Sequence, residues 1–145
     1  MLFRPEEMSP RLKKVNNTAL NERDRTGSFE CGSEHFLLGL VVETDSVASR
    51  ILRQFGVNAE VMRGIIINNH KRDRIPPNLT IVPYSPEAKE LKRHVMEHAD
   101  RRHVSEAQTE DLLWTLMTHP VGLTNDIIIA MRIPVQEILE KLGTN

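Results

Sequence analysis

The sequence predicts an all-α protein built as two pseudo-twofold-related blocks of four helices, about eight helices in all. Three observations predict it. First, the chain repeats itself at a displacement of 76 positions without a gap: Ser9 and Pro10 recur as Ser85 and Pro86, Lys13 as Lys89, Glu34 as Glu110 and Leu40 as Leu116 (85−9, 86−10, 89−13, 110−34, 116−40). Second, the apolar skeleton recurs with the polar marks, Leu37 falling on Leu113, Ile51 on Ile127, Val57 on Ile133 and Met62 on Ile138. A duplicated unit that cannot bury its own apolar face builds a pseudo-symmetric body with its copy. Third, nearly every apolar run has helical spacing and opens on a helix-start signal.

Each element follows from local chemistry. Ser9 then Pro10 reads as an N-cap and first helical residue, leading into Leu12, Val15, Ala19 and Leu20. Ser33 with Glu34 opens a second helix through Val41, and Ser46 to Phe55 forms a third that stops at Gly56. A fourth starts near Asn58; its β-branched tail, Ile65 to Ile67, would suit a strand, but its length and its counterpart in the second block favour a helix. Adjacent Pro76 and Pro77, with Lys71, Arg72, Asp73 and Arg74 before them, mark a linker. Ser85 and Pro86 then cap a helix through Ala99, Thr109 and Glu110 start another, and Asn125 to Arg132 and Pro134 to Leu142 supply the last two. The expected organisation is a single domain with repeat 1 at about 9–69, a linker at 70–84 and repeat 2 at about 85–142.

Bulk properties bound the function. A chain of 145 residues, 39% hydrophobic and 27% charged, is long enough to bury one core. A formal charge of −1 gives no broad footprint for nucleic acid or an anionic membrane, so neither is expected as a partner, the near-neutral charge arguing against nucleic-acid binding through the local cluster of Lys71, Arg72 and Arg74. One cysteine, Cys31, excludes an internal disulfide and reads as a packed thiol in a reducing compartment. No apolar stretch reaches spanning length and the charged start is unlike a signal peptide, so a cytoplasmic protein is expected. A P-loop is absent: Gly27 and Gly32 have its glycine spacing, but Ser33 and Glu34 stand where Lys and Ser or Thr would hold phosphates and Mg²⁺.

The segment Cys31-Gly32-Ser33-Glu34-His35-Phe36-Leu37-Leu38-Gly39-Leu40 resembles the Gly-Thr-Glu-His-Ile-Leu-Leu-Gly-Leu signature of the Clp ATPase amino-terminal domain, the double-repeat module at the front of ClpC and ClpA chaperones. The resemblance continues through Ala48, Ile51, Leu52 and the Phe55-Gly56-Val57 turn, and the two-copy plan covers about Ser9 to Leu142. The second copy departs further, with Ala107 and Gln108 in place of Val and Gly, Asp111 in place of His, and Trp114 and Thr115 in place of Leu and Gly. The resemblance implies a non-enzymatic module, without cofactor, that recruits adaptors or substrates to an unfoldase ring in regulated proteolysis, the ring itself being absent here. A monomer is expected.

Ser9 and Ser85 lie at expected helix N-termini, where free N–H groups and the dipole attract anions, and each precedes its glutamate by 25 residues (34−9, 110−85). In the ClpC branch, the positions matching these caps and glutamates form two pockets for phosphorylated arginine, helix start to phosphate and carboxylate to guanidinium. The resemblance therefore implies a pocket at Ser9 with Glu34 and another at Ser85 with Glu110. Lys13 and Lys89, one turn further in, would add positive charge. The residues alone also read as plain capping, Ser before a helix and Glu in its first turn. His35 reads as structural, and Met8, Met62, Met96, Met117 and Met131 as core filler.

Two alternatives remain at this point. The chain could be an accessory or decoy subunit that docks on a Clp ATPase through its helix faces without reading phosphoarginine. In another class, His94, Glu97 and His98 spell the inverted zincin pattern of a zinc hydrolase, for which Glu137 or Glu140 would have to supply a third ligand.

Overall fold

The computed structural model describes residues 1–70 and 81–143, the side chain of His70 excepted. A 3-10 turn at Pro5–Glu7 precedes eight helices: α1 (Pro10–Arg25), α2 (Ser33–Val42), α3 (Val47–Gln54), α4 (Ala59–His70), α5 (Pro86–Arg101), α6 (Thr109–Thr118), α7 (Leu123–Ala130) and α8 (Val135–Gly143). Among the described residues there is no strand, only two isolated bridges, and no helix long and apolar enough to cross a membrane. The linker residues Lys71, Arg72, Asp73, Arg74, Pro76 and Pro77 lie outside the described residues.

The helix starts form as the side chains dictate. Leu12 N–H donates to Ser9 Oγ and Ala88 N–H to Ser85 Oγ, both at 3.1 Å, with proline in the first turn of each helix. Such a cap contributes about 1 kcal/mol. Ser46 caps α3 in the same way, from Ser49 N–H at 3.0 Å. The segment 65–67 is helical, within α4. The seventh helix begins two residues before the expected Asn125, from Gly122 at φ 56°, and stops before Arg132, whose φ of 52° is left-handed.

Two central helices organise the body. Every residue of α2 from Ser33 to Val41 is buried, as an all-round apolar helix must be, and α6 buries seven of its ten. Helix α2 packs on α1, α3, α4, α5, α6 and α7, and α6 packs in turn on α1, α3, α5 and α8. The core, from Phe3 through Leu37 and Leu113 to Ile138, is one cluster drawn from both repeats. Gly39 brings α1 against α2: a Cβ there would stand 3.0 Å from the Val15 carbonyl.

Candidate functional site

The two helix starts and the two glutamates meet across the repeats. Cys31 N–H donates to the Pro83 carbonyl at 2.9 Å and Ser85 N–H to the Cys31 carbonyl at 3.1 Å, a short parallel bridge of Cys31 with Tyr84. Ala107 N–H donates to Glu7 at 2.8 Å and Ser9 N–H to Ala107 at 3.0 Å, bridging Met8 with Ala107. The 76-residue offset carries one bridge onto the other with partners exchanged, Met8 onto Tyr84 and Cys31 onto Ala107 (84−8, 107−31). The start of α5 at Ser85 therefore lies beside the segment that leads into Glu34, and the start of α1 at Ser9 beside the segment that leads into Glu110. Within repeat 1 the expected partners are at opposite ends of α2: Cys31, just before Glu34, has its Sγ 4.0 Å from the Ala19 carbonyl, whereas Arg11 pairs with Asp45 beyond the other end at 3.2 Å.

The two glutamates have different settings. Glu34 is 8% exposed and its carboxylate folds back over Gly32, where any Cβ would collide with it. Its Oε1 also lies 3.5 Å from His35 Nδ1. That nitrogen accepts the Gly32 N–H at 2.9 Å, so it carries no proton and the contact is not an ion pair. His35 Nε2 reaches Thr26 and Ser28 hydroxyls at 3.0 and 3.1 Å, which makes the imidazole a structural strut. Gln108 stands where Gly32 stands in the first repeat (108−32), so Glu110 cannot fold back in the same way. It is partly exposed and accepts the Thr109 hydroxyl at 3.0 Å. Burial first, and then the Glu34 charge, push the Cys31 thiol up to about 12.

Charge separates the two helix starts further. Helix α1 opens with Arg11, Lys13 and Lys14 and no acid in its first turn, although cations at a helix N-terminus oppose its dipole. Helix α5 carries Glu87, Lys89 and Glu90 at the matching positions. Lys13 and Lys89 are both exposed, and Lys13 lines a groove of about 320 Å³ with Phe3, Met8, Asn16 and Tyr84. The contrast of Arg11 with Glu87 was readable in the sequence by the same offset that exposes the repeat.

Behind Glu110, Asp111 is fully buried and takes the Gln108 N–H at 2.8 Å, both arms of Arg102 at 2.9 and 3.1 Å, and His98 Nδ1 at 2.7 Å. The bond to Asp111 raises the Arg102 guanidinium further, against burial. Asp111 thus replaces His35 as the strut under its repeat, with Arg102 where Thr26 stands in the first. His98 bonds Asp111 and stacks on Trp114 at 5.1 Å. His94 stacks on His119 at 3.9 Å, so the two histidines of the zincin-like pattern face different partners, and Glu97 Oε2 stands 3.5 Å from His94 Nδ1. No group of three or more metal-ligating side chains is placed to hold a metal among the described residues, Glu137 and Glu140 included.

Fold and site define an all-helical double-repeat module with two reciprocal helix-start and carboxylate junctions. Residues 5–55 match the family model described as the Clp repeat (R) N-terminal domain. Over 139 residues the chain is 28% identical to the negative regulator of genetic competence ClpC/MecB of Bacillus subtilis (strain 168), covering 93% of this chain and 17% of that protein. The N-terminal domain of ClpD from Arabidopsis thaliana has the same fold, with a TM-score of 0.78 at 15% identity over 99% of this chain and 96% of that one. So has the ClpV N-domain in its complex with a VipB peptide, with a TM-score of 0.67 at 16% identity over 93% and 88%. The chain is homologous to the amino-terminal regions of Clp ATPases and spans about a sixth of the length of the ClpC relative.

Proposed function

We propose that this chain is a non-catalytic binding module of the Clp chaperone and protease system that recruits substrates or adaptors in the cytoplasm, and that arginine-phosphorylated proteins dock at its two reciprocal junctions. Homology to Clp amino-terminal regions supports the module, and the peptide complex of the ClpV N-domain supports peptide capture by this fold. The observation that carries the finer reading is the reciprocal pairing itself, which sets a capped helix start beside a glutamate-bearing segment twice in one molecule. Free N–H groups at a helix start suit a phosphate, and a carboxylate matches a guanidinium bidentately.

The two junctions differ in strength on this reading. Ser9 with Glu110 has the partly exposed carboxylate and the basic turn of Arg11 and Lys13, so it is the stronger; Ser85 with Glu34, Glu87 and Lys89 is the weaker. Calorimetry with free phosphoarginine tests this. Glu110→Ala is expected to remove most of the heat, with affinity down about tenfold or more, and Glu34→Ala the smaller remainder. Absence of heat from the native chain, or heat unchanged in both variants, would sink the phosphoarginine reading.

A further inference from the structure

We propose that the cavity of about 160 Å³ between the start of α5 and the 119–121 segment is a subsite for one unmodified basic side chain, arginine or lysine, of a polypeptide held at the Ser85 end of the molecule. The proposal rests on the reading of the chain as a peptide-binding module, and it adds a second ligand chemistry beside the phosphate-seeking helix starts.

The lining suits a long cation. Leu91 and Val121 provide apolar wall for a methylene stem, while Glu87 and Glu90 supply carboxylates for the head group. His94 and His119 form a further wall, stacked at 3.9 Å and 15°, and a flat imidazole pair suits a guanidinium better than a mobile side chain would. Burial, then His94 and Arg101, hold His119 below the ordinary histidine range. Glu90 is bonded to Arg93 at 2.7 Å, and Arg93 also bonds Glu97 at 2.8 Å. Glu87 has no ionic partner among the described residues, and it stands close to the 119–121 segment, its Cγ 3.7 Å from where Gly122 would carry a Cβ.

The other half of the molecule differs at the same place. The 76-residue offset carries Glu87 onto Arg11, Val121 onto Asp45, and the pair His94 and His119 onto Thr18 and Glu43 (87−11, 121−45, 94−18, 119−43). There Arg11 bridges Asp45 at 3.2 Å and Thr18 bonds Glu43 at 3.4 Å, so the chain's own arginine already pairs at that position. In the second half the arginine has become a carboxylate and its acceptor a valine. The opening lacks its internal cation and has gained a charge to attract one.

Nuclear magnetic resonance of the 145-residue chain tests the proposal with two probes, Nα-acetyl-arginine amide and its neutral isostere, the citrulline analogue. The arginine compound is expected to shift the amides of Leu91, His119 and Val121 saturably, and both the citrulline exchange and Glu87→Gln are expected to weaken this about tenfold. Glu87 is exposed, so Glu87→Gln leaves the core untouched. Equal shifts from both probes, shifts unaltered in Glu87→Gln, or no shift at these amides at millimolar probe would overturn it. A parallel titration with phosphoarginine, followed at Gln108 and Glu110, reports on the phosphate reading separately, so the failure of either is visible without the other.

Discussion

Glu22 is 1% exposed on α1, and its carboxylate is held from three sides: Arg63 grips it through two bonds of 2.8 and 2.9 Å, and Arg25 adds a third at 3.2 Å. Burial alone would raise its pKa, yet the Arg63 hydrogen bonds and charge, helped by Arg25, outweigh burial and hold it below the usual glutamate range. A folded-state pKa below the unfolded one gives stability that is present above the unfolded value and lost as pH falls through the folded one. Glu22→Gln is therefore expected to cost about 1–3 kcal/mol at pH 7, because the partly buried Arg63 guanidinium keeps Glu60 at 2.7 Å but loses its buried carboxylate partner. In urea titrations the gap to the native chain should close below about pH 4; a gap that stays constant with pH would show that packing, not charge, is lost. The sequence carries no sign of this pair, since Glu22 and Arg63 lie 41 positions apart and only the folded chain brings their side chains together. The helix-cap serines were legible, because a cap bonds within its own first turn.

At the scale of elements, the close approach of α1 and α2 depends on one missing side chain. A Cβ on Gly39 would stand 3.0 Å from the Val15 carbonyl and 3.3 Å from the Ala19 nitrogen, both backbone atoms that cannot turn away. Gly39→Ala is expected to force the two helices apart at a cost of about 1–3 kcal/mol, visible as a lower midpoint of thermal unfolding. An unchanged or raised midpoint would mean that the helices part freely. The position was legible as part of the first copy's signature, but its reason was not, since spacing says which face a glycine occupies and not how near the neighbouring backbone comes. Helix order was legible almost throughout because capping serines and first-turn prolines act locally. The start of α7 was not: Gly122 takes φ 56° where it meets Glu87 of another helix, a contact that no local pattern announces.

For the whole molecule, duplication leaves an ambiguity that sequence arithmetic does not resolve. An offset of 76 is equally satisfied by a serine paired with the glutamate of its own repeat or with that of the other, and only the bridges Met8 with Ala107 and Cys31 with Tyr84 select the second. The exchange means that each junction takes its helix start from one copy and its acid from the other, so divergence of the second copy is shared between both. It also ties the repeats into one body. Glu7 reaches across to Lys92 at 3.3 Å, Ser33 bonds Thr124 at 2.7 Å, and α2 and α3 pack on α6. A chain tied in this way is expected to unfold in one step. Trp114 lies in α6 of the second repeat and reports that repeat by fluorescence, while circular dichroism reports the helices of both. The two urea transitions should coincide in midpoint and slope, and Gly39→Ala, in the first repeat, should move the Trp114 transition by as much as the helical one. A Trp114 transition that ignores Gly39→Ala would show two independently folding repeats, in which case neither junction could persist without its partner repeat docked.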